Sequence, residues 1–496
     1  KQMKSTSKAI VIGSGIAGIA AAIRLAVKGY QVLVVEKNNY PGGKLSEITL
    51  GNYRFDAGPS LFTMPNLVEE LFELASKKTS DFFEYDTHDT CCHYFWEDGT
   101  FLKACSNHQE IETEVENVFP TNGKLFTKKL KKASFINEQI GDLFLKNSLH
   151  DVRNFLNFKT LKALTNSWKL DLQTTFHKSN EKDLDDAKLV QLFDRFATYN
   201  GSNPYKTPGI MSIIPHFEHN VGTFFPKKGM VSITNSLVKL AESLGVQFQY
   251  NTIAEEILVE NNAVIGVKTT DKIENSAIVV SNMDVYFTYH KMLPNQKPPK
   301  KILRQERSSS AIIFYWGIHK EFPNLDLHNI LFSSDYKAEF EAIFDQKTIF
   351  DDPTVYVHIS SKCLPNDAPK GAENWFVMIN SPSNSGQDWD KLIAKARKAI
   401  IQKINKILQI DIEKFIEEES ILDPRSIEMK TASYQGSLYG TSSNSKFAAF
   451  LRHPNFKKGL KNLYFVGGSV HPGGGIPLSL LSAKIADHYI PTISNS

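Results

Sequence analysis

Residues 8–18 read Lys-Ala-Ile-Val-Ile-Gly-Ser-Gly-Ile-Ala-Gly, and this stretch decides the fold. Its apolar run, Ala9 to Ile12, is typical of a buried strand. The run leads into a turn that carries three glycines, namely Gly13, Gly15 and Gly18. A helix is predicted from Ile19 to Lys28. A dinucleotide pyrophosphate needs this order of strand, glycine turn and helix, because the amide groups at the helix N-terminus face the anion.

The three glycines of this turn each have a predicted purpose. Gly13 allows the tight turn, Gly15 lets the backbone approach the phosphates, and Gly18 lets the helix pack closely on the strand. A second apolar strand, Gln31 to Val35, ends in Glu36, whose carboxylate is placed to accept hydrogen bonds from ribose hydroxyls. A glycine-rich turn in another kind of α/β fold is the alternative, and the complete unit argues against it.

The composition narrows the class of protein. The 496 residues allow two or three domains, and an apolar content of 41% permits a large core. With 57 basic and 54 acidic residues the net charge is +3, which does not suggest a nucleic-acid partner. We recognise no secretory signal and no run of about 18 apolar residues, so we expect a cytoplasmic protein. The cysteines show no metal spacing and no disulfide framework, which indicates a reducing compartment. They are Cys91, Cys92, Cys105 and Cys363.

Residues 108–199 are predicted to be mostly helical and are rich in Phe, Leu and Lys. A basic cluster in this region consists of Lys124, Lys128, Lys129, Lys131 and Lys132. Leu and Phe residues follow closely, up to position 164. Such a mixture suits helices that rest on a membrane surface. An amphipathic helix packed on the core gives the same pattern and is favoured from the sequence alone, unless the substrate is a membrane lipid.

Other stretches predict elements that carry no chemical motif. A short strand is predicted at Phe82–Tyr85, and a hairpin is expected across the turn at residues 98–99 (Asp-Gly). Later in the chain the patterns predict a helix from Val231 to Leu244, strands at Ala311–Ile318 and Trp375–Asn380, and a long helix from Gln387 to Leu408.

A second glycine motif lies at residues 463–483. A strand, Leu463 to Val466, runs into Gly467 and Gly468, and a further glycine loop precedes a helix that is predicted from Pro477. Proline suits the first turn of a helix. The N-terminus of this helix is placed to stabilise negative charge on a bound cofactor.

Two more segments follow the first glycine turn along the chain. They are residues 42–44 (Gly-Gly-Lys) and 53–60 (Tyr-Arg-Phe-Asp-Ala-Gly-Pro-Ser). With both glycine motifs they make the chain similar to the carotenoid desaturase family of the amine oxidase superfamily. The resemblance continues through residues 203–208 and 281–284, so it covers most of the chain. It implies FAD as cofactor. The implied fold is α/β: a two-dinucleotide-binding (Rossmann-like) FAD domain with an inserted α+β substrate domain and a helical membrane-facing region.

The resemblance also implies which residues bind FAD. They are Gly13, Gly15, Ile16, Ala17, Gly18, Glu36, Lys37, Gly43, Lys44, Leu45, Gly58, Pro59, Ser60, Leu61, Ile253, Ala254, Ser281, Asn282, Met283, Gly467, Gly468, Gly475, Ile476, Pro477 and Ser479. Lys44 keeps a positive charge where many relatives have arginine. His471 is a weak candidate for a catalytic base, and a structural role in its loop is favoured. Glu218 and His219 are expected at the surface rather than beside a substrate tunnel.

The resemblance divides the chain into five segments. The FAD domain takes residues 1–80, 221–288 and 436–496. Residues 81–220 form a helical, membrane-associating part of the substrate domain, and residues 289–435 form the rest of that domain. No metal site is expected.

Within the family the chain is most similar to the 1'-hydroxycarotenoid 3,4-desaturases, with phytoene desaturase as a close neighbour. This implies desaturation of an acyclic carotenoid, peripheral binding to a membrane surface, and oxygen or a quinone as electron acceptor. FAD takes a hydride from carbon, and a neighbouring carbon then loses a proton. The motifs leave other functions open: phytoene desaturase, a carotenoid isomerase or saturase, another amine-oxidase-like flavoenzyme, or an escort protein that binds prenyl lipids without flavin.

Overall fold

The structure, a computed structural model, describes residues 8–142, 145, 147–151, 170–171, 173–445, 448 and 450–493. Its α-helices are α1 Ile16–Val27, α2 Asn66–Leu74, α3 His108–Val118, α4 Gly123–Ile136, α5 Phe176–Asp183, α6 Ala187–Asp194, α7 Val231–Ser243, α8 Val285–Phe287, α9 Lys300–Leu303, α10 Tyr336–Phe344, α11 Trp389–Leu408, α12 Pro424–Thr431 and α13 Ile476–His488.

Its β-strands are β1 Lys8–Ile12, β2 Gln31–Val35, β3 Glu47–Leu50, β4 Tyr53–Asp56, β5 Tyr85–His88, β6 Thr90–Phe95, β7 Phe101–Cys105, β8 Thr223–Pro226, β9 Gln247–Gln249, β10 Ala254–Glu260, β11 Ala263–Thr269, β12 Ile273–Asn275, β13 Ile278–Ser281, β14 Ser310–Ile318, β15 His328–Leu331, β16 Val355–His358, β17 Glu373–Ser381, β18 Ile416–Leu422 and β19 Leu463–Phe465.

Five parallel strands form one sheet, in the order β19–β13–β1–β2–β9. The glycine turn follows β1, the central strand. Successive side chains of a strand point to opposite faces. Val11, Val34 and Val280 therefore pack with α1, α7 and α13 in one core. Ile10 and Val279 pack on the other side, against the three-stranded sheet β10–β11–β12. Because both faces are covered, these strands are apolar along their length, as the sequence predicts.

A seven-stranded sheet in the order β18–β14–β17–β16–β15–β6–β7 forms the second layer of the molecule. Strands β14 and β17 pair antiparallel over their whole length, and β6 and β7 form the hairpin predicted across residues 98–99. One face packs on α11 through Trp316 and Trp375. The opposite face presents Ile313, Tyr315 and Phe376, and this face becomes one wall of the cavity described below.

The strand predicted at Phe82–Tyr85 is wrong. The structure has a short 3-10 helix at Thr79–Asp81, and the strand begins at Tyr85 and pairs with β8. Phe82 and Phe83 pack against neighbouring aromatic rings, with Phe82 5.3 Å from Phe72 between ring centroids. Tertiary packing, rather than strand pairing, therefore buries this aromatic run.

The basic cluster of α4 is only partly a solvent-exposed surface. Lys129 is buried, and its ammonium pairs with Asp183 at 2.8 Å. Lys132 pairs with the same carboxylate at 2.7 Å. Many of the following Leu and Phe residues, including all of 152–169, lie outside the described residues. In the ranges that are described, no helix is both long and apolar enough to cross a membrane.

Candidate active site

The glycine turn follows the carboxyl end of β1. Gly13 has a φ of +90°, and its N–H donates to the carbonyl of Val35 at 2.8 Å. At the end of β2, the buried carboxylate of Glu36 accepts hydrogen bonds from the backbone N–H and the hydroxyl of Ser14, both at 2.8 Å. Its other oxygen accepts the N–H of Asn38 at 2.9 Å. The turn is thus held rigid. Oε2 has used both of its lone pairs, whereas Oε1 keeps one for a ribose hydroxyl.

Asn282 locks α1 against the sheet. Its side-chain carbonyl accepts the N–H of Gly18 at 3.1 Å, and a Cβ at Gly18 would lie 2.2 Å from the carbonyl oxygen of Gly13. Close packing is therefore possible only with glycine at this position. The N–H groups of Ile16 and Ala17 belong to the first helical turn, where no intrahelical acceptor exists. They remain available for an anion.

A second helix N-terminus faces the same space. Helix α13 begins at Ile476 after Gly475, which has a φ of +92° and no atom within 4 Å of the position that a Cβ would occupy. Across from it, the ammonium of Lys44 donates to the carbonyl of Leu438 at 2.9 Å. Burial lowers the pKa of Lys44 to about 8, and the charge of Asp284 opposes this shift.

One cavity of about 840 Å³ joins these features to the seven-stranded sheet. One end is lined by the residues that the sequence analysis assigns to FAD. All of them line the cavity except Gly18 and Ser281. The other end is lined by apolar and aromatic side chains of the sheet and of the helical region. They include Ile213, Ile313, Tyr315, Ile330, Phe376 and Met378.

A chain of polar groups starts at the predicted cofactor segment and enters the sheet. Ser60 Oγ lies 2.7 Å from the hydroxyl of Tyr356, which lies 2.7 Å from Nδ1 of His328. The ring of His328 stacks on His358 at 5.2 Å, and His358 faces Asp56 at 3.6 Å. Sequence reasoning missed Tyr356 and His328, because nothing in the pattern of β15 and β16 distinguishes them from ordinary strand residues.

A buried polar cluster lies in the cavity wall, and it corrects the prediction that Glu218 and His219 are surface residues. Both are 1% exposed. Glu218 accepts a hydrogen bond from the hydroxyl of Tyr199 and lies 3.5 Å from the guanidinium of Arg195. Arg195 also donates to Tyr199 at 3.0 Å and to Tyr94 at 2.8 Å. Arg195 follows Asp194 between apolar residues, in the stretch Leu-Phe-Asp-Arg-Phe at 192–196, and charges in such a setting are the sequence signal that could have revealed this cluster.

His471 is placed as a structural residue. Its Nε2–H donates a hydrogen bond to the carbonyl of Asn147 at 2.8 Å, and the ring does not line the cavity. Burial lowers the pKa of His471 to about 4, which keeps the imidazole neutral at physiological pH. The geometry therefore gives no support to its weak candidacy as a catalytic base.

A family model described as flavin containing amine oxidoreductase matches residues 16–486. The chain belongs to this family. It is 53% identical over 484 residues to a protein named 1-hydroxycarotenoid 3,4-desaturase from Flavobacterium sp. (strain P99-3), covering 98% of this chain and 99% of that relative. This identity places the chain in the carotenoid desaturase branch of the family.

Two further comparisons extend over nearly the whole chain. A 4,4'-diapolycopene oxygenase from Methylomonas sp is 30% identical, with 96% of this chain and 97% of that relative covered. The crystal structure of an oxidoreductase from Methanosarcina mazei superposes with a TM-score of 0.65 at 13% identity, covering 96% of this chain and 98% of that one. The mixed α/β fold of flavin amine oxidases is thereby confirmed.

The protein is a flavin-dependent oxidoreductase, and its residues fit FAD as the cofactor. The two helix N-termini, at Ile16 and Ile476, open onto one cavity, and Glu36 lies at the end of β2 where a ribose is expected. The empty space beyond Gly475 leaves room for a ring system against the backbone. In the described residues we find no group of three or more His, Cys, Asp or Glu side chains arranged to hold a metal.

Proposed function

We propose that this protein desaturates an acyclic carotenoid and forms the C3–C4 double bond of a 1-hydroxylated substrate. One observation carries the proposal: a single cavity joins the cofactor residues to a long apolar wall on the seven-stranded sheet. Such a wall suits a polyene, which offers no charged group to bind. The 53% identical relative, whose name specifies this reaction, supports the same substrate class.

The reaction removes two hydrogens from adjacent carbons. FAD, when bound, supplies the acceptor for a hydride and its electron pair. The neighbouring carbon then loses a proton, and its C–H electron pair becomes the new double bond. The electrons leave to oxygen or to a quinone. This chain's residues orient the polyene along Ile313, Tyr315 and Phe376 and exclude water from the reacting carbons.

The division into segments is part of this proposal. The five strands of the parallel sheet come from the three segments assigned to FAD: β1 and β2 from 1–80, β9 and β13 from 221–288, and β19 from 436–496. The seven-stranded sheet takes all its strands from 81–220 and 289–435. The chain thus visits the cofactor domain three times, and the substrate domain lies in the two intervening segments.

The wild-type enzyme is expected to act on the hydroxylated substrate alone. Liposomes carrying either a 1-hydroxylated acyclic carotenoid or phytoene would be mixed with FAD-loaded protein and an electron acceptor. We expect a red shift of the hydroxylated carotenoid, because one more double bond lengthens the conjugated chain, and a product lighter by two hydrogens.

Other outcomes of that experiment would contradict the proposal. New visible bands from phytoene would assign the protein as a phytoene desaturase. A product that gains oxygen would make it an oxygenase, like the Methylomonas relative. Flavin-loaded protein that changes neither substrate would favour an isomerase or an unrelated oxidase, and protein that never binds flavin would favour the escort function.

We also propose that the protein docks on a membrane surface through residues 124–165, because its substrate is nearly insoluble in water. Lys124, Lys128 and Lys131 are exposed on α4, whereas the inward lysines of the basic cluster are paired with carboxylates. The exposed lysines are placed to attract anionic lipid headgroups, each by about 1 kcal/mol near the surface.

Reversing these three charges is expected to weaken vesicle binding at least about 100-fold, since about 1 kcal/mol is lost for each lysine. Lys124→Glu, Lys128→Glu and Lys131→Glu would be combined, and co-sedimentation with phosphatidylserine-containing vesicles would be measured. The matched control reverses Lys297, Lys300 and Lys337, which are exposed elsewhere. Equal binding by the two triple variants would rule out docking through α4.

A further inference from the structure

Glu218 leaves a hydrogen-bond acceptor unused inside the cavity wall. The side chain is buried, and it sits on a π-helical turn, His216–Asn220, a geometry that is frequent at functional sites. Its Oε2 accepts the hydroxyl of Tyr199. Among the described residues, no donor forms a hydrogen bond to its Oε1. The nearest nitrogens, of Arg195 at 3.5 Å and of His219 (Nε2) at 3.7 Å, are not hydrogen-bonded to Oε1. A buried acceptor without a donor is costly, so a ligand that donates a hydrogen bond would be favoured here.

The charge of Glu218 is already neutralised, which limits what that ligand can be. The Arg195 guanidinium lies 3.5 Å from Oε1, but its hydrogen bonds go to Tyr94 and Tyr199. The guanidinium is fixed between aromatic rings, including Phe196 at 4.8 Å. A cationic amine would add an uncompensated charge here, whereas a neutral hydroxyl would supply the missing donor. The site therefore fits an alcohol better than an amine.

The position of Glu218 relates it to the reacting carbons. Tyr356 is hydrogen-bonded to Ser60 of the segment assigned to the flavin. Tyr356 and Glu218 both line the cavity that contains the flavin-assigned residues. In a 1-hydroxylated substrate, the hydroxyl-bearing carbon is only two bonds from C3. An anchor for that hydroxyl must therefore lie near the point where the hydride leaves.

The geometry points to Glu218 Oε1 as the acceptor that binds the hydroxyl on carbon 1 of the carotenoid, with Arg195 and Tyr199 as positioning residues. This inference rests on the proposed desaturation and names the residue that selects the substrate. The apolar wall binds any polyene of suitable length, and Glu218 selects the chain whose end carries a hydroxyl. A carotenoid without that hydroxyl would leave the acceptor unpaired and would bind more weakly.

The first test compares two substrates on the wild-type holoenzyme. With the flavin chemically reduced and oxygen excluded, no turnover occurs, and binding of the 1-hydroxylated carotenoid and of the same carotenoid lacking the hydroxyl can be measured from their absorption. We expect the hydroxylated form to bind about 10- to 100-fold more tightly, the range for a hydrogen bond to a charged group. The ratio of kcat/KM under turnover should be similar. Equal binding of the two carotenoids would overturn the inference.

The second test removes the acceptor. Glu218→Gln keeps the volume and the bond to Tyr199 but replaces the charged acceptor by a neutral amide. The hydroxyl then makes only a neutral hydrogen bond, so the preference for the hydroxylated carotenoid should fall about five- to tenfold. Tyr199→Phe frees the carboxylate to move and should reduce the preference less. Glu339→Gln is the matched control, because Glu339 is equally buried, has both oxygens bonded to Thr354, and does not line the cavity.

The outcomes separate this inference from the proposed function. Suppose that wild-type protein forms product but Glu218→Gln weakens the binding of both carotenoids by the same factor. Glu218 is then structural or is a general base, and the inference fails. If the control loses its preference as fully as Glu218→Gln, the inference also fails. If wild-type protein desaturates neither carotenoid, the proposed function is the part that fails.

Discussion

Replacing Gly18 by alanine is expected to yield a protein without flavin. The Cβ of Gly18→Ala would lie 2.2 Å from the carbonyl oxygen of Gly13, a backbone atom that cannot rotate away. It would also lie 2.9 Å from the amide oxygen of Asn282. Helix α1 must therefore move off β1. Its first-turn amides, at Ile16 and Ala17, move with it and no longer meet the pyrophosphate.

The expected loss of affinity is large. Two hydrogen bonds to a charged phosphate contribute about 1.5–3 kcal/mol each, so losing both weakens FAD binding at least about 100-fold. Flavin absorbance of the purified protein and titration of the apoprotein with FAD measure this loss. Far-ultraviolet circular dichroism shows whether the chain remains folded.

Gly245→Ala is the matched control for Gly18→Ala. Gly245 has a positive φ of +85°, unlike Gly18, and no atom lies within 4 Å of its Cβ position. The control therefore carries backbone strain of about 1–2 kcal/mol without displacing α1, and it should retain flavin. A Gly18→Ala protein that binds FAD with wild-type affinity would show that close packing of α1 on β1 does not position the cofactor.

Local motifs explain why the cofactor end of the site could be predicted. Each glycine motif carries its own strand, turn and helix, so the turn at Gly13 and the helix that follows Gly475 can be predicted without knowledge of the rest of the chain. The ends of α1 were predicted to within a few residues for the same reason. The sequence also orders these units correctly along the chain, and the parallel sheet then brings them to one edge.

The substrate end could not be predicted because its residues meet only through long-range packing. Glu218 lies in the polar run His-Phe-Glu-His-Asn, which is typical of a solvent-exposed turn. Its burial depends on Arg195 and Tyr199 from a separate 3-10 helix, Arg195–Asn200. Tyr356 gains its role only when β16 places it beside Ser60. Pattern and propensity describe neighbours in sequence, and none of these contacts is local.

Charge pairing explains how the protein can place ionic side chains near an apolar substrate. Two buried carboxylates next to the cavity are each paired with an arginine: Glu218 with Arg195 and Asp284 with Arg307. A matched pair presents little net charge to a polyene. Such a pair can still offer a single unused hydrogen-bond donor or acceptor to a bound molecule. Such a group can position a substrate or a cofactor without excluding it.

Asp284→Ala is expected to destabilise the folded protein by about 3–5 kcal/mol, because it leaves the guanidinium of Arg307 buried without its carboxylate. The side chains of this pair are 5% and 4% exposed. The Asp284 carboxylate also accepts the N–H of Tyr286 at 2.9 Å and of Tyr434 at 3.1 Å, and both would lose their acceptor. With Asp284 removed, the pKa of Lys44 should fall below its value of about 8, since this carboxylate now opposes the effect of burial.

Denaturant unfolding followed by tryptophan fluorescence measures the loss, with every variant at the same free FAD concentration because bound cofactor stabilises the native state. Adding Arg307→Met to Asp284→Ala should recover part of the lost free energy, since the unpaired charge is then absent. Asp390→Ala serves as control: its carboxylate pairs with Arg425 while 86% exposed, so little change is expected. If Asp284→Ala unfolds at the same denaturant concentration as Asp390→Ala, the buried pair of Asp284 and Arg307 does not stabilise the folded protein.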